Sequence, residues 1–415
     1  MSGEPERGRM LTKLLPIAVA KYHLVAFLMQ LGLGIMAPVL PEVRSTFGVS
    51  TAEVALAVSA YGIARVILDL PIGILLDRVR TTYLFLAGTA VVALGGALGS
   101  QTPSFVLVVV ARGLMGAGSV LCLAGAQLAV SRLSSPTNRG RLLGSYNAAS
   151  LAGSSLSPAI GGAIAVAAGW RASFAFTTFA ALLALAVLLL GKPAPPDAAG
   201  STYSPGDEGQ NREPVGRWSL SHRVLVTLAA VSVASFILHF YSGGFQDTMV
   251  PLIGATTLGF DAAALGLIIA LCTLLRLCAS LLGGELSDRH GRLVVLVPSL
   301  AILGLGVFGL NYGTGLATFL AAVIVMSLGR GGDAVLNTII IDQGPARMWG
   351  RAIGINRLAS DLGVAVGPLA LGWLADGYGY GAAIYFTAGL VWLTALAALA
   401  AIREHPRRPA EGALG

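Results

Sequence analysis

Residues 141–158 read RLLGSYNAASLAGSSLSP, and residues 351–368 read RAIGINRLASDLGVAVGP. Displaced by 210 residues, the two stretches share Arg141/Arg351, Gly144/Gly354, Ser150/Ser360, Gly153/Gly363 and Pro158/Pro368. A second pair keeps nearly the same offset, since GILLDR at 73–78 returns as GELSDR at 284–289. The chain is therefore two copies of one unit, and what fills each unit decides the fold. Around the motifs lie apolar runs of about 17–25 residues, long enough to cross a bilayer. They fall near 16–40, 51–76, 82–100, 104–131, 141–168 and 172–191, then near 222–251, 262–287, 293–312, 315–341, 351–375 and 380–402. The expected fold is all-α, with twelve membrane-spanning helices in two pseudo-symmetric six-helix halves.

Composition excludes a water-soluble alternative. Of 415 residues, 55% are hydrophobic and 11% charged, against roughly 25% charged in a soluble domain. The mean hydropathy is +0.78, and 54 glycines suit membrane helices that approach closely. Cys122, Cys272 and Cys278 all lie inside apolar runs, which leaves neither a disulfide framework nor a metal site. The first fifteen residues are polar and basic, and the apolar run after them is too long for a signal-peptide core. The first span is read as uncleaved.

The domains follow: an N-terminal half over 1–191, a linker over 192–221, a C-terminal half over 222–402 and a tail over 403–415. The linker holds five prolines and few aliphatics, so it is read as a flexible connector. A net charge of +7 would suggest nucleic acid in a soluble protein. Here 19 Lys and Arg fall in the segments sharing a side with the termini, and two, Arg44 and Arg171, in the opposite loops. That asymmetry places both termini and the linker in the cytoplasm of a multi-pass plasma or inner membrane protein, with no nucleic-acid partner.

Three motifs carry more. The loop after the second span of the C-terminal half runs Gly284-Glu285-Leu286-Ser287-Asp288-Arg289-His290-Gly291-Arg292. It resembles the loop motif G-x-L-x-D-R-x-G-R of the major facilitator superfamily at every fixed position. The N-terminal copy keeps Gly73, Leu75, Asp77 and Arg78 but has Arg80 and Thr81 where the family has Gly and Arg. In the family these residues latch the inner ends of the two halves in the outward-open state. The resemblance thus implies a gating latch of Gly73, Asp77, Arg78, Gly284, Asp288, Arg289, Gly291 and Arg292. An ordinary turn carrying inside charges would explain one such copy, but not two at equivalent places.

In the fourth span, Arg112-Gly-Leu-Met-Gly116-Ala-Gly118 resembles the superfamily's R-x-x-x-G-x-G element, with Met115 for the commoner glutamine. Arg112 lies roughly 12 Å deep, where a charge is expensive and points to function, unless it snorkels outward. In the fifth span, Gly153, Pro158, Gly161 and Gly162 resemble the G-x-x-x-G-P-x-x-G-G element of proton-coupled antiporters, with Ser157 replacing the glycine before the proline. Gly363, Gly367 and Pro368 make a similar face in the eleventh span. On the residues alone, both faces are helix-packing surfaces.

Further charges fall inside the spans. Arg65 and Arg276 are repeat-equivalent, near the bilayer middle where substrates of the superfamily bind. Arg65/Asp69 and Arg357/Asp361 are i,i+4 pairs, Arg330/Asp333 is an i,i+3 pair, and Arg276 has no acid in its own turn. Each pair is either a neutral bridge that specifies packing or a site where the acid exchanges a proton. Asp361, Asp333 and Asp69 are the candidate proton sites, and Arg65, Arg112, Arg276, Arg330 and Arg357 the candidate cavity residues. His23, His239 and Asp247 read as interfacial, nearer the span ends.

The resemblance implies a secondary transporter working by alternating access, moving a small organic solute by proton-coupled efflux as a monomer without a cofactor. Five central arginines against three acids leave a second reading, an anion held between Arg65 and Arg276. Drug exporters of the superfamily often carry an acid in the first or fourth span. Here the first has only Glu42, beyond Pro38 and Pro41, and the fourth has none, which argues against a cationic drug. An enzyme finds no support, because the chain has no H-E-x-x-H or G-x-S-x-G, and no G-x-x-x-x-G-K-[ST] loop offers ATP-driven transport. A receptor would be expected to carry a folded soluble module, and the longest extramembrane segment is the linker.

Overall fold

The computed structural model of the chain describes residues 20–79, 81–134, 138–190, 222–343 and 349–402. The expected linker and tail lie outside these residues. Among the described residues, twelve helices are long and apolar enough to cross a bilayer. The first half contributes α1 (Ala20–Phe47), α2 (Thr51–Arg78), α3 (Thr81–Ser100), α4 (Phe105–Leu133), α5 (Arg139–Ala168) and α6 (Trp170–Leu190). The second contributes α7 (Val224–Leu258), α8 (Ala262–His290), α9 (Arg292–Tyr312), α10 (Leu316–Gln343), α11 (Trp349–Tyr378) and α12 (Tyr380–Ala401). Large apolar side chains such as Phe179, Leu267 and Leu393 point outward and exposed. That surface suits lipid, not water.

The repeat extends to the backbone at the helix ends. Gly48 and Gly259, which close α1 and α7, both adopt the left-handed conformation, at φ 63° and 67°. Gly169 and Gly379 join α5 to α6 and α11 to α12, both at φ 82°. A side chain at any of the four would be strained.

Two helices run past the limits expected from sequence. The first continues to Phe47: Pro38 falls in the first turn of its second segment, Met36–Phe47, where a backbone N–H has no helical partner anyway, and Pro41 sits inside that segment without ending it. The seventh continues to Leu258. Both are irregular midway. The chain turns at Gly34–Ile35 in α1, and Tyr241–Met249 in α7 is a π-helical segment.

Between the halves, α2 packs on α11 and α5 on α8, a pairing that respects the repeat. Small residues make it possible. A Cβ on Gly62 would meet the Ala365 backbone, one on Gly162 the Ala262 carbonyl, and one on Gly266 the Pro158 carbonyl. Within the halves, Gly153 and Gly363 sit equivalently against the Phe27 and Phe236 carbonyls, Gly161 against Ile35 and Gly367 against Phe240.

With twelve crossings among the described residues, the start of α1 and the end of α12 fall on one side, the terminal side. On the far side the halves are joined by directed bonds. The carboxylate of Asp376 in α11 accepts from the Thr51 and Ala52 amides at 2.9 and 2.7 Å, capping the N-terminus of α2 across the interface. Arg44 Nη1 donates to Tyr380 Oη at 3.2 Å. On the terminal side, a Cβ on Gly144 or Gly354 would meet open space.

Candidate functional site

A cavity of about 660 Å³ lies between the halves, walled by α1, α2, α4 and α5 and by their repeat counterparts α7, α8, α10 and α11. Seven arginine and aspartate side chains line it: Arg65, Arg112, Asp247, Arg276, Asp333, Arg357 and Asp361. Four of the five arginines singled out by sequence are among them. Arg330 is not, and it lies completely buried behind the wall.

The ion pairs are not those expected from spacing along single helices. Arg65 Nε on α2 donates to Asp361 Oδ1 on α11 at 2.9 Å, and Arg357 Nη2 on α11 approaches Asp69 Oδ1 on α2 at 3.6 Å. The two expected i,i+4 pairs have exchanged partners across the interface. The close contact of Gly62 with the Ala365 backbone holds α2 and α11 together beside these pairs. The Asp69 and Asp361 carboxyl groups also come within hydrogen-bonding reach of one another. Each keeps a buried Oδ2 that receives no hydrogen bond.

The second cluster lies wholly within the C-terminal half. Asp333 accepts from Arg276 Nε on α8 at 2.9 Å. It also accepts from Arg330, with Nε at 3.0 Å and Nη2 at 2.7 Å. The i,i+3 pair expected from sequence is therefore present, and Arg276 finds its acid on α10. Helix α10 opens at Gly329–Gly332, so Asp333 begins a new helical segment where the dipole favours a carboxylate. Gly283 of α8 packs on the Gly331 carbonyl, and the Arg330 guanidinium lies 5.4 Å from the Tyr241 ring.

Asp247 and His239 are corrections. Both line the cavity, not a membrane interface. Sequence ended the seventh span too early, and the helix continuing to Leu258 brings Asp247 to mid-depth on the π-helical segment. Had the run been extended to Gly259, the repeat counterpart of Gly48, the depth of Asp247 would have been legible. His23 lies near the terminal side, with Nε2 2.7 Å from Ser145 Oγ. Tyr61 also escaped notice, and its ring lies under both Arg65 and Arg112, 5.8 and 4.9 Å from their guanidiniums.

Arg112 does not snorkel. It is 5% exposed and its Nε donates to the Ala57 carbonyl at 3.3 Å. In the loop motif, Arg292 bridges Asp288 and Asp342, tying α8 to α10, while Arg289 pairs with Glu285. Gly291, at φ 109°, ends α8 and starts α9. These bonds lie within the C-terminal half. The side chains of Gly73, Asp77 and Arg78 lie outside the described residues. Pro158 and Pro368 sit inside their helices, and Ser157 donates to the Leu31 carbonyl at 2.6 Å.

Comparison with known proteins bears on this arrangement. The family model of the Major Facilitator Superfamily matches residues 22–245 and 231–414. An uncharacterized MFS-type transporter of Methanocaldococcus jannaschii is 23% identical over 369 residues, covering 85% of this chain and 90% of its own. Multidrug resistance protein MdtG of Escherichia fergusonii is 30% identical over 139 residues, 34% of each chain. Among solved structures, a D-xylose-proton symporter superposes with TM-score 0.74 at 16% identity, covering 91% of this chain and 95% of its own. A bacterial homolog of the human lysosomal transporter Spinster, inward-facing and occupied, gives 0.73 at 14%, covering 96% and 97%. At such identities the two structures speak for the fold alone.

Proposed function

The chain belongs to the Major Facilitator Superfamily and is a multi-pass membrane transporter, and from that premise we propose that it exports a small organic solute in exchange for protons. The observation that carries the proton is the carboxyl pair between α2 and α11. Two carboxyl groups in hydrogen-bonding reach either share a proton or repel. Asp69 and Asp361 stand on different halves, each with a buried Oδ2 that lacks a donor. One proton between them satisfies both oxygens and holds the halves together. When α2 and α11 part on the far side, the carboxyls separate and exchange that proton with water; closure returns it to the shared position, and the terminal side receives it.

Outward movement of the solute is supported by the partial likeness to MdtG and by the Gly153–Gly162 element of α5. The positive charges of the terminal side support placing it in the cytoplasm, so that the conformation described here is inward-facing. The loop residues Gly73, Asp77, Arg78, Gly284, Asp288, Arg289, Gly291 and Arg292 then latch the opposite conformation. An anion held between Arg65 and Arg276 has less support, since each guanidinium already serves a carboxylate.

The test is transport by purified protein in liposomes under an imposed pH gradient, screened against cationic, anionic, neutral and zwitterionic solutes. Asp361→Asn is expected to abolish gradient-driven accumulation while leaving downhill counterflow intact. Full gradient-driven accumulation by that variant would overturn the coupling assignment.

A further inference from the structure

The cavity wall carries two charged side chains that stand outside the ion pairs of the described residues. Of the seven arginine and aspartate side chains lining it, Arg65, Arg276, Arg357, Asp333 and Asp361 stand in ion pairs. Among the described residues, Arg112 and Asp247 do not. Arg112 is held in place, with its guanidinium over Tyr61 and its Nε on the Ala57 carbonyl. Its Nη1 is buried without a hydrogen-bond partner. Asp247 accepts only a long bond from the neighbouring Gln246 amide, at 3.4 Å. Arg276 and Arg330 also act on Asp247 through space, more strongly than Arg112 does, but none of the three forms an ion pair with it.

They are also on opposite halves, Arg112 on α4 and Asp247 on α7. A bare cation and a bare anion in a membrane interior are both costly, and a ligand that supplies the opposite charge to each relieves both. We infer that the transported solute is a zwitterion, with its carboxylate or other anionic group on Arg112 and its ammonium group on Asp247. Such a solute bridges the two halves. A solute with one charge engages one half and leaves the other group bare, which ties binding of the correct solute to joint movement of the halves.

The inference rests on the transport reading of this cavity, but its test needs no proton gradient. Binding is measured at fixed pH on purified full-length protein in nanodiscs, using matched probes. One set is 4-(aminomethyl)benzoic acid with benzylamine and benzoic acid, and a second set repeats the three on a biphenyl frame. At least one zwitterion is expected to bind about tenfold or more tightly than both of its matched ions, as a second charge contact commonly provides. Arg112→Gln is expected to reduce that zwitterion to the level of its amine, with Arg112→Lys restoring part of the preference. Asp247→Asn is expected to reduce it to the level of its acid. Size-exclusion profiles establish that each variant is folded.

Equal affinity of each zwitterion and its ions, no binding by any probe, or an equal loss for all three probes in both variants would overturn the inference. The binding arm uses no Asp361 variant and no pH gradient, whereas the coupling assignment is read only from gradient-driven accumulation, so the two proposals fail separately.

Discussion

Two arginine–aspartate clusters border the same cavity, built from the same chemistry and wired differently. In the C-terminal half, Asp333 serves both Arg276 and Arg330, all within one six-helix unit. Between the halves, Arg65, Asp69, Arg357 and Asp361 make one contact of 2.9 Å and one of 3.6 Å, and leave two carboxyl oxygens without donors. A cluster inside a rigid half keeps its bonds as the halves move. A cluster spanning the interface must break and re-form, so unsatisfied oxygens and a long contact are suited to it. On the proposed mechanism, the difference separates an ion cluster that builds the protein from one that works it.

That contrast can be broken at graded cost. The largest effect is expected for Asp333→Asn, which strips a fully buried Arg330 of its carboxylate. Removing one partner of a buried pair costs about 3–5 kcal/mol, so the yield of monodisperse protein and its thermal midpoint should fall sharply. A stable, fully active Asp333→Asn protein would mean that this cluster is not structural. Next comes Asp361→Asn, which should remove gradient-driven transport at a smaller cost in stability, because the Arg65 it leaves is 19% exposed where Arg330 is fully buried. A comparable collapse in stability would place it in the same class as Asp333. The loop motif follows, because Arg292 keeps Asp342 when Asp288 is lost. Asp288→Asn should slow transport strongly at near-normal expression, and Asp77→Asn should do less, since Arg80 and Thr81 stand where the other copy has Gly291 and Arg292. Equal losses would show that both loops share the work. The smallest effect on stability is expected for Arg357→Gln, whose side chain is 44% exposed; thermal shift should register less than about 1 kcal/mol.

Much of the architecture was legible in the sequence because membrane spans and repeats are one-dimensional signals. Apolar length marks a helix, and an offset of 210 residues marks the symmetry. The five arginines within the spans stood out for the same reason. Partner choice did not, because spacing along a chain reports only neighbours on one helix. Arg65 and Asp69 are adjacent by that rule, yet Gly62 lets α2 press on α11, and the nearer acid becomes Asp361, almost three hundred residues away. Asp247 was misplaced for a different reason. Gln246, Asp247, Thr248 and Pro251 resemble a span end, whereas the π-helical segment Tyr241–Met249 carries the polar residues and Pro251 falls in the first turn of the helical segment after it. Asp376 capping α2 from α11 has no sequence signal at all, since a cap supplied across an interface shares no local pattern with the helix it caps.

On the proposed mechanism one proton lies between Asp69 and Asp361. Infrared spectroscopy of purified protein reads it directly through the carbonyl stretch of a protonated carboxyl group. A band that vanishes on raising the pH, and that is missing in both Asp69→Asn and Asp361→Asn but retained in Asp247→Asn, is the predicted result. A band that survives unchanged in both interface variants would contradict the account.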